Sequence, residues 1–235
     1  MRYLFRGLLS LLLISCHSAS YEVCSDTSES EQIQIARSTT RIAGDSRRST
    51  VKVYAERPKG RSVGTGTILS YKGKTIILTA AHVVGDWGNH VTVSTGGQFF
   101  KTSVRYLDTL NDMAVLVVKE DMRVKPIKLR AVSKRNVEIG TDVVYSGYPN
   151  NSSLLTIEGY IAGVHPKGYV YMHSYGWSGA SGSSVFDSKG RLVGILIALE
   201  VGEGFLGMPD IIEDVVIIVP IWKLNFDLLD MNLSL

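Results

Sequence analysis

Cysteine is almost absent: the chain of 235 residues has two, Cys16 and Cys24, both upstream of the segment that reads as folded. No disulfide framework can hold the body of the protein, and a Cys16–Cys24 bridge would close only a small leader loop. Two cysteines with no nearby histidine pair make no zinc site, so neither metal nor cofactor is expected. Charge of one sign is also scarce. The formal net charge is +3, and the basic residues are scattered rather than gathered into the stripe that a nucleic-acid surface needs. No nucleic-acid partner is expected. The densest basic stretch, Arg41 to Arg48, lies in polar sequence and reads as a solvated linker. Ten-residue helical patterns are nearly missing too, and with them the alternating helices of an α/β fold.

The one apolar run at the N-terminus is too short to span a bilayer as a mature helix. Arg2 and Arg6 precede Leu8 to Ile14, and small residues follow, which is the pattern of a secretory signal over 1–16. Leu13-Ile14-Ser15-Cys16 resembles a bacterial lipobox. That resemblance implies lipidation of Cys16 and attachment to a membrane; an ordinary cleaved signal with Cys16 incidental fits the same residues as well. The expected location is outside the cytoplasm: periplasmic, membrane-anchored or secreted. Residues 17–48 are rich in Ser, Thr, Glu and Asp and bury too little to offset the entropy of ordering, so they read as a flexible tether.

From Val51 the texture changes to short β-rich runs separated by turns. They include Val51–Ala55, Gly66–Ser70, Lys74–Thr79, Val91–Ser94 and Ala114–Val118. Asp142–Ser146, Ser153–Ala162, Tyr169–Met172, Ser184–Phe186, Leu192–Ala198 and Val215–Val219 follow. Tyr71-Lys72-Gly73-Lys74 and Asp187-Ser188-Lys189-Gly190 suit hairpin turns. Many short strands argue for an all-β barrel or sandwich. The Lys/Arg-rich stretch Val124 to Glu138 divides them, giving an N-terminal unit at 49–130 and a C-terminal unit at 131–235, each sized for a six-stranded barrel. Helix is expected only as a turn after His82 and near Ile221 to Leu229. Leu224, Leu228 and Leu229 there are spaced to cap the second barrel. Too few residues follow Pro220 for a peptide-sensing PDZ-like domain, so none is expected.

Three motifs carry chemistry. Leu78-Thr79-Ala80-Ala81-His82 ends a β-rich run on a histidine. Asn111-Asp112-Met113-Ala114-Val115 puts an acid at the mouth of an apolar strand. Gly179-Ala180-Ser181-Gly182 is a glycine-flanked serine turn running into Ser183-Ser184-Val185. A serine hydroxyl is a weak nucleophile until an imidazole takes its proton, and the imidazole needs a carboxylate to fix its tautomer. Glycines beside the serine allow a tight turn whose N–H groups can face a developing oxyanion. Each motif alone has an ordinary explanation, as a core histidine, a turn acid or a small-residue loop. Three in this order are another matter.

Together the motifs resemble the signature of trypsin-like serine peptidases of the bacterial and phage type, and His, Asp, Ser is the chymotrypsin order. Gly64-Thr65-Gly66, Ser146-Gly147-Tyr148-Pro149, Glu158-Gly159 and Gly190 to Ile195 extend the resemblance over about Val51 to Leu224. It implies a chymotrypsin-like double barrel of two six-stranded antiparallel β-barrels with a short C-terminal helix. It also implies a serine endopeptidase acting on a protein or peptide, with His82, Asp112 and Ser181 catalytic and the N–H groups of Gly179 and Ser181 as oxyanion hole. Asp108 is the rival acid and Ser178 the rival serine. Ala180 stands where animal enzymes carry an acid that pairs with a new N-terminus, so that activation switch is absent. Ser183 and Ser184 stand where Gly and Pro are commoner.

The resemblance places substrate binding on Tyr175, Gly176, Leu196, Ile197 and Ala198. No acid lies at the pocket base, which implies a small or apolar residue before the cut, with Leu199 narrowing the space. His173 would meet an acidic side chain or simply face solvent. The competing expectation is a catalytically inactive double barrel kept as a binding or structural module.

Overall fold

The structure, a computed structural model, describes residues 29–58, 60–203 and 209–234, with side chains for 39–58, 60–199 and 214–234. The expected signal segment, Cys16 and Cys24 lie outside the described residues. In chain order come α1 (Glu29–Arg48), β1 (Thr50–Arg57), β2 (Gly60–Tyr71), β3 (Lys74–Thr79), the one-turn α2 (Ala81–Val84), β4 (Val91–Thr95), β5 (Gln98–Asp108) and β6 (Met113–Val118). There follow β7 (Ile127–Lys128), β8 (Asp142–Gly147), β9 (Leu155–Val164), β10 (Val170–His173), β11 (Ser184–Asp187), β12 (Leu192–Glu203), β13 (Pro209–Pro220) and α3 (Phe226–Ser234).

The strands close into two six-stranded antiparallel barrels. The first runs β1-β4-β5-β6-β3-β2 and is shut by the β1–β2 pairing, with β7 added in parallel beside β2. The second runs β10-β13-β12-β11-β8-β9. Closure leaves no free edge in either ring. β3 shows why such runs become inner strands: Ile76, Ile77, Leu78 and Thr79 are all buried, two faces of a pleat covered at once. Lys72 and Gly73, both at positive φ (48° and 81°), make the tight β2–β3 hairpin the sequence suggested.

Three expectations are corrected. Residues 17–48 are not simply a tether, because α1 occupies Glu29–Arg48 and its last turns pack on the body. Ile42 is 4% exposed within the hydrophobic core and Ser46 is buried, so apolar docking at one end supplies what the polar composition lacks. The Arg41 to Arg48 stretch is thus the end of a helix, with Asp45 bonded to Arg48 at 2.6 Å, and not a solvated linker. The terminal helix α3 caps the first barrel rather than the second. Phe226 lies 5.7 Å from the Tyr71 ring, Lys72 Nζ donates to Asp230 at 2.5 Å, and Asn225 N–H donates to Tyr106 Oη at 3.3 Å. β5 was not foreseen at all.

Candidate active site

His82 lies on α2, the single helical turn that ends β3. Ala80 and Ala81 are buried, so small side chains let this turn sit tight against the barrel. Gly85 closes the turn at φ +83°, donating its N–H to the Ala81 carbonyl at 2.8 Å. Arg57, at the end of β1, donates from Nη2 to the carbonyls of His82 and, at 3.1 Å, Val83. No sequence motif marked this arginine. Its partners are carbonyl oxygens, and a lone Arg beside a strand end carries no pattern that would have identified it.

Asp112 comes from the turn before β6 and grips His82 twice. Its Oδ2 faces His82 Nδ1 at 2.7 Å, and its Oδ1 accepts the His82 backbone N–H at 2.7 Å. The Asp112 carbonyl also accepts the Ala81 N–H at 3.2 Å. Three bonds leave little freedom to either residue. Asp112 sits at φ +51°, a left-handed conformation that costs a non-glycine residue energy and needs local support.

Asp108 supplies that support and is occupied by it. Its Oδ1 accepts the N–H groups of Leu110 and Asn111 at 3.0 and 2.9 Å, while Asn111 Nδ2 and Tyr106 Oη donate to Oδ2. Burial acts to raise the Asp108 carboxyl, but these donors outweigh it and hold the group below the usual carboxylate range. The rival acid is therefore the builder of the turn that presents Asp112.

Ser181 lies on the loop before β11. Its carbonyl accepts the Thr65 N–H of β2 at 2.8 Å, which pins the serine to the first barrel. A methyl group at Gly64 would fall 2.5 Å from Val83 and 3.0 Å from the Ser181 carbonyl oxygen. The bare backbone of Gly64 thus lets α2 and the serine loop meet at one point. Gly182, at φ +89°, is equally constrained, since a methyl there would lie 2.1 Å from the Thr65 carbonyl oxygen. Thr65 Oγ1 donates to the Gly179 carbonyl at 2.8 Å, and Thr79 Oγ1 donates to the Thr65 carbonyl at 2.7 Å.

The other serines of the loop are placed differently. Ser183 is buried with Oγ donating to the Ala180 carbonyl at 2.6 Å, and Ser184 is buried with Oγ unpartnered among the described residues. Neither can meet a substrate. Ser178 is exposed, and its carbonyl accepts the Asn150 N–H at 2.5 Å. A trans peptide points its C=O and N–H in opposite directions, so this bond turns the Gly179 N–H away from Asn150. Among the described residues neither the Gly179 nor the Ser181 N–H has an acceptor. Ala180 is fully buried, where an activating acid would be stranded.

Ser181 Oγ donates to the Ile197 carbonyl at 3.4 Å, and no hydrogen bond joins it to His82. A register shift between Leu196 and Ala198 leaves Ile197 out of the ladder, which frees that carbonyl. The substrate-binding residues expected from sequence differ in exposure among the described residues. Gly176 is buried, and a methyl there would lie 2.8 Å from Leu199 and 3.0 Å from Val216. Leu196 is a core residue, with its N–H on the Ser183 carbonyl and its carbonyl on the Gly182 N–H. Ala198 is exposed on β12. Tyr175 is 59% exposed and stacked on Trp177 at 5.9 Å, while its carbonyl accepts from the buried Tyr145 hydroxyl. His173 pairs with Asp214 at 3.3 Å and stacks on Tyr160 at 5.0 Å, so it is engaged on the barrel surface. Among the described residues no cluster of His, Cys, Asp and Glu could hold a metal ion.

Known proteins fit this arrangement. A family profile described as a trypsin-like peptidase domain matches residues 64–195. The serine endoproteases DegS of Salmonella typhimurium and of Escherichia coli K12 are each 28% identical over 143 residues, 57% of this chain. The chain spans 39% of the length of these relatives. A serine endoprotease from Yersinia pestis superposes with a TM-score of 0.65 at 23% identity, covering 82% of this chain and 66% of that one. The active form of a Mycobacterium tuberculosis protease gives 0.63 at 22%, covering 80% and 82%. At such identities these two structures speak for the fold.

Proposed function

Since the chain belongs to the trypsin-like peptidase family, we propose that it is a serine endopeptidase with Ser181 as nucleophile, His82 as general base and Asp112 as the acid that orients it. The double grip of Asp112 on His82, through the ring and the backbone N–H, carries this reading. Accepting a hydrogen bond from Nδ1–H leaves Nε2 as the free base, and the same carboxylate stabilises the imidazolium once it forms.

The reaction begins when Ser181 Oγ turns from the Ile197 carbonyl to His82 Nε2, a rotamer change on the picosecond to nanosecond scale. Oγ bonds to the scissile carbonyl carbon as its proton passes to Nε2. The carbonyl oxygen becomes an oxyanion held by the Gly179 and Ser181 N–H groups, each worth about 3–4 kcal/mol of barrier. Collapse breaks the C–N bond, and the departing amine takes the proton from Nε2. Water then cleaves the acyl-enzyme by the same route, returning the serine.

Leu199 and Val216 crowd the space over Gly176, which favours a small residue such as alanine or valine before the cut. A purified-protein cleavage profile over a peptide library checks this; a preference for Phe or Lys there would overturn it. The charged and apolar leader supports export, and Cys16 lipidation is tested by labelling with a fatty-acid analogue against Cys16→Ser.

The deciding experiment is a fluorophosphonate probe. Labelling that is lost in Ser181→Ala and kept in Ser178→Ala supports the enzyme, with turnover falling on the order of 10⁶-fold in Ser181→Ala. The 3.4 Å bond from Ser181 to Ile197 favours a second reading, an inactive double barrel used for binding. That reading requires a folded wild type that stays unlabelled.

A further inference from the structure

Five cationic side chains, Arg41, Arg48, Lys125, Lys128 and Arg130, line a single cavity of 420 Å³ against one carboxylate, Asp45. The local excess is +4, where the whole chain carries +3. None of the residues of the catalytic triad borders the cavity.

Three distant segments build it: the end of α1, the connection between the barrels that contains β7, and the turn from β11 to β12. Ser49 Oγ donates to the Lys125 carbonyl at 3.0 Å, and Arg130 Nη2 donates to the Lys189 carbonyl at 2.9 Å, which ties the walls together. Asp45 is spent on two arginines, Arg48 at 2.6 Å and Arg41 at 3.5 Å. Lys125 and Lys128 have no ion pair among the described residues. Like charges held around a concave space repel one another unless an anion enters.

The floor is apolar. Ile42, Ile127, Pro126 and the buried Phe186 lie beneath the cationic rim. Gly190, at φ +68°, keeps it open, because a methyl there would lie 3.1 Å from Arg130 Nη2 and 3.5 Å from Ile42. A lone surface patch of lysines would have neither walls nor floor. The volume suits one small ligand.

We propose that this cavity binds a phosphate ester with a compact apolar substituent, the phosphate between Lys125, Lys128 and Arg48 and the substituent over Ile42 and Ile127. Guanidinium and ammonium donors together match a dianion, and the apolar floor discriminates against bare phosphate. The ester could be a lipid headgroup or a soluble metabolite, since both present the same chemistry.

The test is calorimetric titration of the full chain at constant ionic strength with inorganic phosphate, glycerol 3-phosphate and dihexanoyl phosphatidic acid. Saturable one-site binding is expected, strongest for an ester, and weakened about tenfold or more in Lys125→Ala/Lys128→Ala. Those side chains are exposed, so the variant should fold; its thermal melt verifies this. Tightest binding by the lipid identifies a headgroup, and by glycerol 3-phosphate a soluble ester. No saturable binding overturns the proposal. So does an equal loss in the control Lys101→Ala/Lys119→Ala, which would mean diffuse charge attraction. Ser181→Ala should bind as the wild type does, so this site stands or falls apart from the peptidase reading.

Discussion

Arg57 precedes His82 by 25 residues and reaches the carbonyls of His82 and Val83 from the end of β1, with its Nε buried and unpartnered among the described residues. Asp112 holds the ring and the N–H of His82; Arg57 holds the opposite side of the same peptide run. It is a positioning residue under the peptidase reading. Arg57→Met is expected to lower kcat about 10- to 100-fold with KM little changed, because misplacing the base acts on the chemical step. Arg57→Lys should recover part of the loss, since a single nitrogen, Nη2, makes both bonds and an ammonium also carries several donors. Steady-state kinetics on a peptide substrate give both parameters. Gly182 offers a sterner case: Gly182→Ala must place a methyl 2.1 Å from the Thr65 oxygen at a left-handed φ. A loss of at least about 3 kcal/mol in urea unfolding is expected. Tyr145 adds a pH dependence. Burial pushes its hydroxyl above the ordinary value of 10.0, so the folded state favours the neutral phenol. Its contribution is intact below pH 10, where the unfolded phenol is also neutral, and is lost as pH rises beyond that, by up to about 1.4 kcal/mol per pH unit. Tyr145→Phe should flatten the alkaline fall in stability measured between pH 9 and 11.

Among the elements, the strands with continuous buried runs were legible and the more exposed ones less so. β3 and β6 are continuous apolar runs whose bounds could be read almost to the residue. β5 was missed because only Tyr106 of its eleven residues is buried, so neither a run nor a clean alternation stands out. Gly96-Gly97, at φ 56° and 78°, was the signal that could have revealed it as the second arm of a hairpin. α1 was misread for a related reason: a polar helix docked by one end shows no stripe along its length. The leucines of α3 told of a buried face but not of which barrel it meets, because periodicity has no information about partners. The pairing of His82 with Asp112, by contrast, was legible since each of the two sits in a local motif. Arg57 and the cation-lined cavity were not, because they join segments through space alone. Ile42 tests the corrected account of α1: Ile42→Ala should cost about 2–4 kcal/mol in urea unfolding, and no change would mean that α1 is not docked in solution.

At the scale of the whole molecule, neither barrel contains a cysteine, and both hold together on apolar cores and main-chain ladders without a disulfide. Dithiothreitol should therefore leave the thermal melt of both barrels unchanged; a drop in Tm would show that a leader disulfide matters to the body. Each ring is also drawn from one uninterrupted stretch, β1 to β6 and then β8 to β13. That arrangement has a temporal meaning. A chain emerging from its N-terminus can close the first ring, with His82 and Asp112 already paired, before Ser181 has been joined to it. Hydrolytic power would then wait for the second ring, and α3 would grip the first ring only afterwards. Under the peptidase reading, the order of the residues along the chain would act as a timer, withholding the complete site until the second ring has formed.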